Sequence, residues 1–114
     1  MASKHKSDVL FTIHLDENQV PEKLHWTAEE GGIKEAETKA FFISVWDTKK
    51  KETLKMDLWT KDMPLDEMKH FFYQTLLSMA DTFHRATNDD KMTASMRDFA
   101  DYFAEKLELV EKKK

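Results

Sequence analysis

Apolar side chains in this chain keep one step length up to residue 60 and another after Pro64, and that change governs what the chain can become. Val9, Phe11, Ile13 and Leu15 alternate with Leu10, Thr12 and His14, a period of two that marks a half-buried strand over residues 8–15. Leu24 and Trp26 alternate with Lys23 and His25 as a second, short strand, separated from the first by the turn residues Asp16, Glu17 and Asn18 and by Pro21. Residues 38–46, TKAFFISVW, are apolar at both parities, which predicts a central strand buried on both faces. Leu54, Met56 and Leu58 then alternate with Lys55, Asp57 and Trp59 over residues 53–60, closing a second hairpin. Between the hairpins, residues 28–37 combine clustered charge with the adjacent Gly31 and Gly32, and this predicts a mobile loop.

After Pro64, Leu65, Met68, Phe72, Leu76, Met79 and Phe83 recur at steps of three and four, so a helix is expected to about Ala86, with Asp66 and Glu67 at its positive end. Asn88, Asp89 and Asp90 break it. A second helix, capped by Thr93 or Ser95, carries Met96, Phe99, Ala100, Phe103, Leu107 and Val110 on one face. The expected fold is α+β, a four-stranded antiparallel sheet followed by two amphipathic helices packed on one face. Residues 8–110 form the single domain, with a flexible arm at 1–7 and a basic tail at 111–114.

Composition removes whole classes of function. With no cysteine there is no disulfide framework, thiolate metal site, cysteine nucleophile or lipidated cysteine. A net charge of −4 with dispersed basic residues disfavours nucleic acid, and the polar start MASKHKSDV carries neither a signal peptide nor a membrane span, so a cytoplasmic protein is expected. Glu67-x-x-His70 and Asp81-x-x-His84 have the spacing of a carboxylate-bridged metal motif, but fourteen residues of one helix hold the two histidines about 21 Å apart, too far to share an ion. Asp98, Asp101 and Glu105 read as a solvated helix face, because Arg97 and Lys106 interrupt the row and no calcium-binding loop is present. No serine stands in a G-x-S-x-G turn, and the two glycines are too few for a phosphate loop. The residues thus imply no enzyme, metal or cofactor, and make a small-molecule ligand in a mouth beside the 28–37 segment the weakest reading.

The aromatic side chains are more informative. If Val9, Phe11, Ile13 and Leu15 look toward the helices, as do Leu54, Met56 and Leu58, then Trp59 and one parity of the third strand, Phe42 and Trp46, look away. With Trp26 these make a candidate interaction face, open to burial by the chain itself, to self-association or to a partner.

Several longer segments are distinctive: LDENQVPEKLHW at 15–26, SVWD at 44–47, KMDLWTKDMPLDEMKHFF at 55–72, QTLLSMADTFHRATNDDKM at 74–92 and MRDFADYFAEK at 96–106. Together they resemble the gliding motility protein GldC family of gliding bacteria, over nearly the whole chain from residue 8 to 108. The resemblance implies a small cytoplasmic accessory protein associated with gliding motility and brings no catalytic or binding residues with it. The expected function is therefore protein–protein interaction, including formation of a homo-oligomer. The alternative is a chaperone-like binder of unfolded or exported polypeptides, since the order of four strands and two helices is similar to that of the export chaperone SecB.

Overall fold

In a computed structural model the described residues are 5–110. The first four residues of the expected arm and the whole of the expected basic tail lie outside them, while His5 to Val9 have no regular structure. The elements run β1 (Leu10–Leu15), β2 (Pro21–Ala28), β3 (Ile33–Thr38), β4 (Ala40–Asp47), β5 (Glu52–Trp59), α1 (Leu65–Thr87) and α2 (Asp90–Lys106), with a 3-10 turn at Glu29–Gly31. Two compact units result, one ending at Met63 and one beginning at Pro64.

The first unit holds five strands in two antiparallel sheets, β1-β2-β3 and β4-β5, in place of the expected single four-stranded sheet. The additional strand is β3, which occupies the segment expected to be a loop. Its sequence IKEAET has almost no apolar alternation, and it pairs with β2 through His25 opposite Glu37 and Trp26 opposite Ala36. An edge strand needs little apolar surface, and charges on it discourage further pairing. Glycine is required at one position of the preceding turn: Gly32 has φ +76°, the left-handed region that L side chains enter only with strain. Glu35, also left-handed at φ 45°, lies within a break in the β2–β3 register, between the Ala28–Ile33 and Trp26–Ala36 pairs, and its N–H donates to Thr27 Oγ1 at 2.9 Å.

The two expected hairpins are present. Phe11 lies opposite Trp26 and Ile13 opposite Leu24, so the period-two set of β1 meets the apolar parity of β2. Leu24 is fully buried, and Phe11 packs at 4.9 Å, ring centre to ring centre, on the buried Phe41 of β4, which joins the apolar faces of the two sheets. The junction is fixed by polar contacts. Thr60 N–H donates to Lys39 O at 2.8 Å, Lys61 N–H donates to Pro21 O at 3.1 Å, and Lys61 Nζ reaches Asp16 Oδ2 at 3.0 Å. The other Asp16 oxygen accepts the N–H groups of Asn18 and Val20. These hydrogen bonds, that from Val20 foremost, and the Lys61 ammonium hold the Asp16 carboxyl below its ordinary value, while Asp16 raises Lys61 in return. Asp62 is lowered in the same way by the Thr60 hydroxyl and then by Lys39.

The second unit is a helical hairpin. Pro64 stands at the N-cap of α1, and Asn88, in the left-handed conformation, ends it by donating its N–H to His84 O. Asp89 caps α2 by accepting the Met92 N–H at 2.9 Å, so that helix starts three residues before the earlier of its expected caps. Thr93 lies inside the helix and donates its hydroxyl to Asp89 O. The residues buried on the two helices are small: Ala80 on α1, and Thr93, Ala100 and Ala104 on α2. Short side chains let the helices approach closely, and Arg97–Asp81 and His84–Asp90, both at 2.7 Å, bridge them. The apolar stripes expected to be buried are only partly so, with Leu65, Phe72, Met79 and Phe99 exposed.

Candidate functional site

The β4–β5 ribbon is where the described residues of the first unit show most apolar surface. Its register places Phe41 opposite Leu58, Ile43 opposite Met56 and Val45 opposite Leu54, all on one face. Burial fades along this face: Phe41 is buried, Ile43 and Leu58 are half-buried, and Val45, Leu54 and Met56 are each more than half exposed. The reading of β4 as a central strand buried on both sides therefore fails beyond its first residues. Apolar character at both parities, in a two-stranded ribbon, produces exposure on both sides.

The opposite face carries Ala40, Phe42, Ser44 and Trp46 against Trp59, Asp57, Lys55 and Thr53. Phe42 and Trp59 are diagonal neighbours at the base of the ribbon, one step apart in the register. Trp46 stands at the far end, six residues from Ala40 and so about 20 Å away. Between them Lys55 and Asp57 form an ion pair at 2.9 Å, which splits the aromatic surface in two. Trp46, at 62% exposure, and Trp59, at 52%, face solvent, whereas Phe42 is half-buried.

Trp26 belongs elsewhere. It lies in the three-stranded sheet, half-buried, with its ring stacked on Phe11 at 6.0 Å and 7° between planes. That sheet's other face is polar, with His14 edge-on to His25 at 5.2 Å and Lys23 beside Glu37 at 3.8 Å.

Leu54 and Met56 share the parity expected to face the helices and Val45 lies in the strand expected to be buried on both faces, but periodicity alone shows which residues share a face without showing whether anything lies over it. Strand length gives no signal either, because β2 has eight residues just as β4 and β5 do. The helical motifs are local contacts, His84 Nε2 meeting Asp90 across the turn between helices and Asp81 meeting Arg97. Among the described residues no three His, Asp or Glu side chains converge as a metal site. The 28–37 segment is a 3-10 turn and a strand rather than a loop, and a cavity of about 340 Å³ beside it is lined by Asp8, Leu10, Thr27, Glu29 and Glu30 among others.

A small α+β protein with an open, aromatic-tipped ribbon is the class these features define. Residues 21–109 match the model of the family described as gliding motility-associated protein GldC-like, and the chain belongs to that family. No curated protein and no solved structure matches the chain. Among the described residues no helix is long and apolar enough to cross a membrane.

Proposed function

We propose that this chain is a non-enzymatic accessory protein of gliding motility that acts in the cytoplasm by docking a polypeptide partner on the β4–β5 ribbon. The observation that carries the reading is exposure of large apolar side chains on both faces of one ribbon: Val45, Leu54 and Met56 on one side, Trp46 and Trp59 on the other. Tryptophan and methionine are enriched at protein interfaces, and tryptophan among the residues that dominate binding energy there. Covering one Trp or Leu fully is worth about 1.5–3 kcal/mol, so a few such residues suffice for a specific contact.

The test places a photoreactive amino acid at Leu54 or Trp46 in gliding cells, with the exposed Glu30, in the 3-10 turn between β2 and β3, as control. One discrete heavier adduct from positions 54 and 46, absent at 30, is the expected result. Adduct yields at 54 and 46 no higher than at 30 would overturn the reading. A broad ladder would replace it with the SecB-like alternative of a client-binding chaperone, and an adduct of twice the chain's mass would make the ribbon a self-association surface.

A further inference from the structure

We infer that α1 is a self-association surface, pairing antiparallel with α1 of a second copy about a two-fold axis close to Thr75. The inference rests on the protein-interaction reading but uses a different surface. Leu65, Phe72 and Met79 are spaced seven residues apart and are exposed, Leu65 to 71%, so one row on α1 shows large apolar side chains at the repeat of a helix–helix seam. Beside that row runs a groove of about 700 Å³ whose α1 lining mixes the small residues Thr75, Ser78, Thr82 and Ala86 with the larger Phe71 and Phe83, a relief into which the side chains of a second helix can set.

Charge chooses the occupant and its direction. The first turn of α1 carries Asp66 and Glu67, and its last turn carries His84 and Arg85. Glu67 and Arg85 are eighteen residues, five whole turns, apart and therefore share one azimuth at opposite ends of a helix about 35 Å long. An antiparallel second copy sets Glu67 beside the partner copy's Arg85 twice over and opposes the two helix dipoles. A parallel copy would set like charges together at both ends. Phe72 and Met79 of the apolar row are centred half a residue from position 76, the centre of Glu67 and Arg85, so one axis serves both sets and leaves Leu65 opposite the partner copy's Ala86. The charge pair and the apolar pair thus agree on a centre near Thr75 and Leu76, the self-complementarity that a two-fold interface demands. Met96 of α2 lines the same groove, and Met92 and Phe99, both more than half exposed, flank it in sequence on α2. They widen the face toward the roughly 800 Å² per partner of a stable dimer.

Because the chain has no cysteine, a single introduced thiol reports the axis directly. Thr75→Cys is expected to give a disulfide-linked dimer on mild oxidation, and His70→Cys, exposed and about 140° round the helix from it, is not. Glu67→Arg should weaken the dimer about tenfold by light scattering across a dilution series, and adding Arg85→Glu should restore it while helix content stays constant. A monomeric wild type at every concentration, oxidised Thr75→Cys that remains monomeric, or a charge swap that fails to restore association would each overturn the inference. None of these touches the ribbon, whose partner is read separately by the cross-links from Leu54.

Discussion

Replacing Leu24 and Leu54 separately by alanine removes the same atoms from two opposite environments. Leu24 is fully buried between Ile13 and Thr38 in the three-stranded sheet. Its truncation loses the transfer free energy of the side chain and leaves a cavity, about 2–5 kcal/mol together. Leu54 is 52% exposed, so its truncation forfeits about half of a leucine's 1.5–3 kcal/mol, close to 1 kcal/mol, and opens no enclosed cavity. All three tryptophans precede Met63, so fluorescence in urea follows the first unit, while the far-ultraviolet helix signal is dominated by α1 and α2. Leu24→Ala should lower the fluorescence midpoint strongly, equivalent to more than about 10 °C in Tm, with Leu54→Ala shifting it by a few degrees. Comparable losses at the two positions in dilute protein would refute the reasoning, because Leu54 would then have to be covered. A Leu24→Ala cost under about 1 kcal/mol would show that the sheet is not organised around that residue.

Four further outcomes are expected. Trp46→Ser and Trp59→Ser together should abolish the partner adduct formed from position 54 without changing the helix signal. Gly32→Ala should cost about 1–2 kcal/mol in urea, because φ +76° strains any L side chain, whereas Gly31→Ala, whose added methyl meets open space, should be nearly neutral. Asp89→Ala removes the acceptor of the Met92 N–H and should cost about 1 kcal/mol in the helix signal, with fluorescence unmoved. For Asp16→Asn the sign follows from a carboxyl held low and an ammonium held high. The stabilisation is full above the ordinary carboxylate value of about 3.9, fades as pH falls through the depressed folded value, and is lost again as pH climbs through the raised value of Lys61. The difference in Tm between wild type and variant should therefore be flat across neutral pH and close in acid; a difference unchanged in acid would exclude Asp16 as its source.

Much of this architecture was readable in order along the chain. The alternation in β1 and β5 and the three-and-four spacing of α1 each mark an element and its type, and Asn88-Asp89-Asp90 mark the break. β3 escaped because IKEAET reaches its pairing through backbone and cross-strand charge, leaving no apolar rhythm. The start of α2 escaped because three residue types suited to capping precede it and only geometry chooses Asp89. The aromatic set was found residue by residue but not as a surface. Trp26 shares the parity of Leu24 and so stacks on Phe11, and Lys55 with Asp57 separates Trp46 from Phe42 and Trp59. Nor do the stripes of α1 and α2 announce that Ala80, Ala100 and Ala104, rather than their larger neighbours, are the buried residues.

The turn that tips the ribbon has a further consequence. Asp47 gathers the N–H groups of Lys49 and Lys50 on its side chain and that of Lys51 on its carbonyl, so three consecutive lysines stand exposed at the free end of an apolar ribbon. Two ribbons aligned tip to tip would bring six positive charges together, a built-in guard against indiscriminate stacking. The same guard acts as a filter on legitimate company: a strand that reaches the tip must bring carboxylates to meet the lysines, and one that lacks them must stop short.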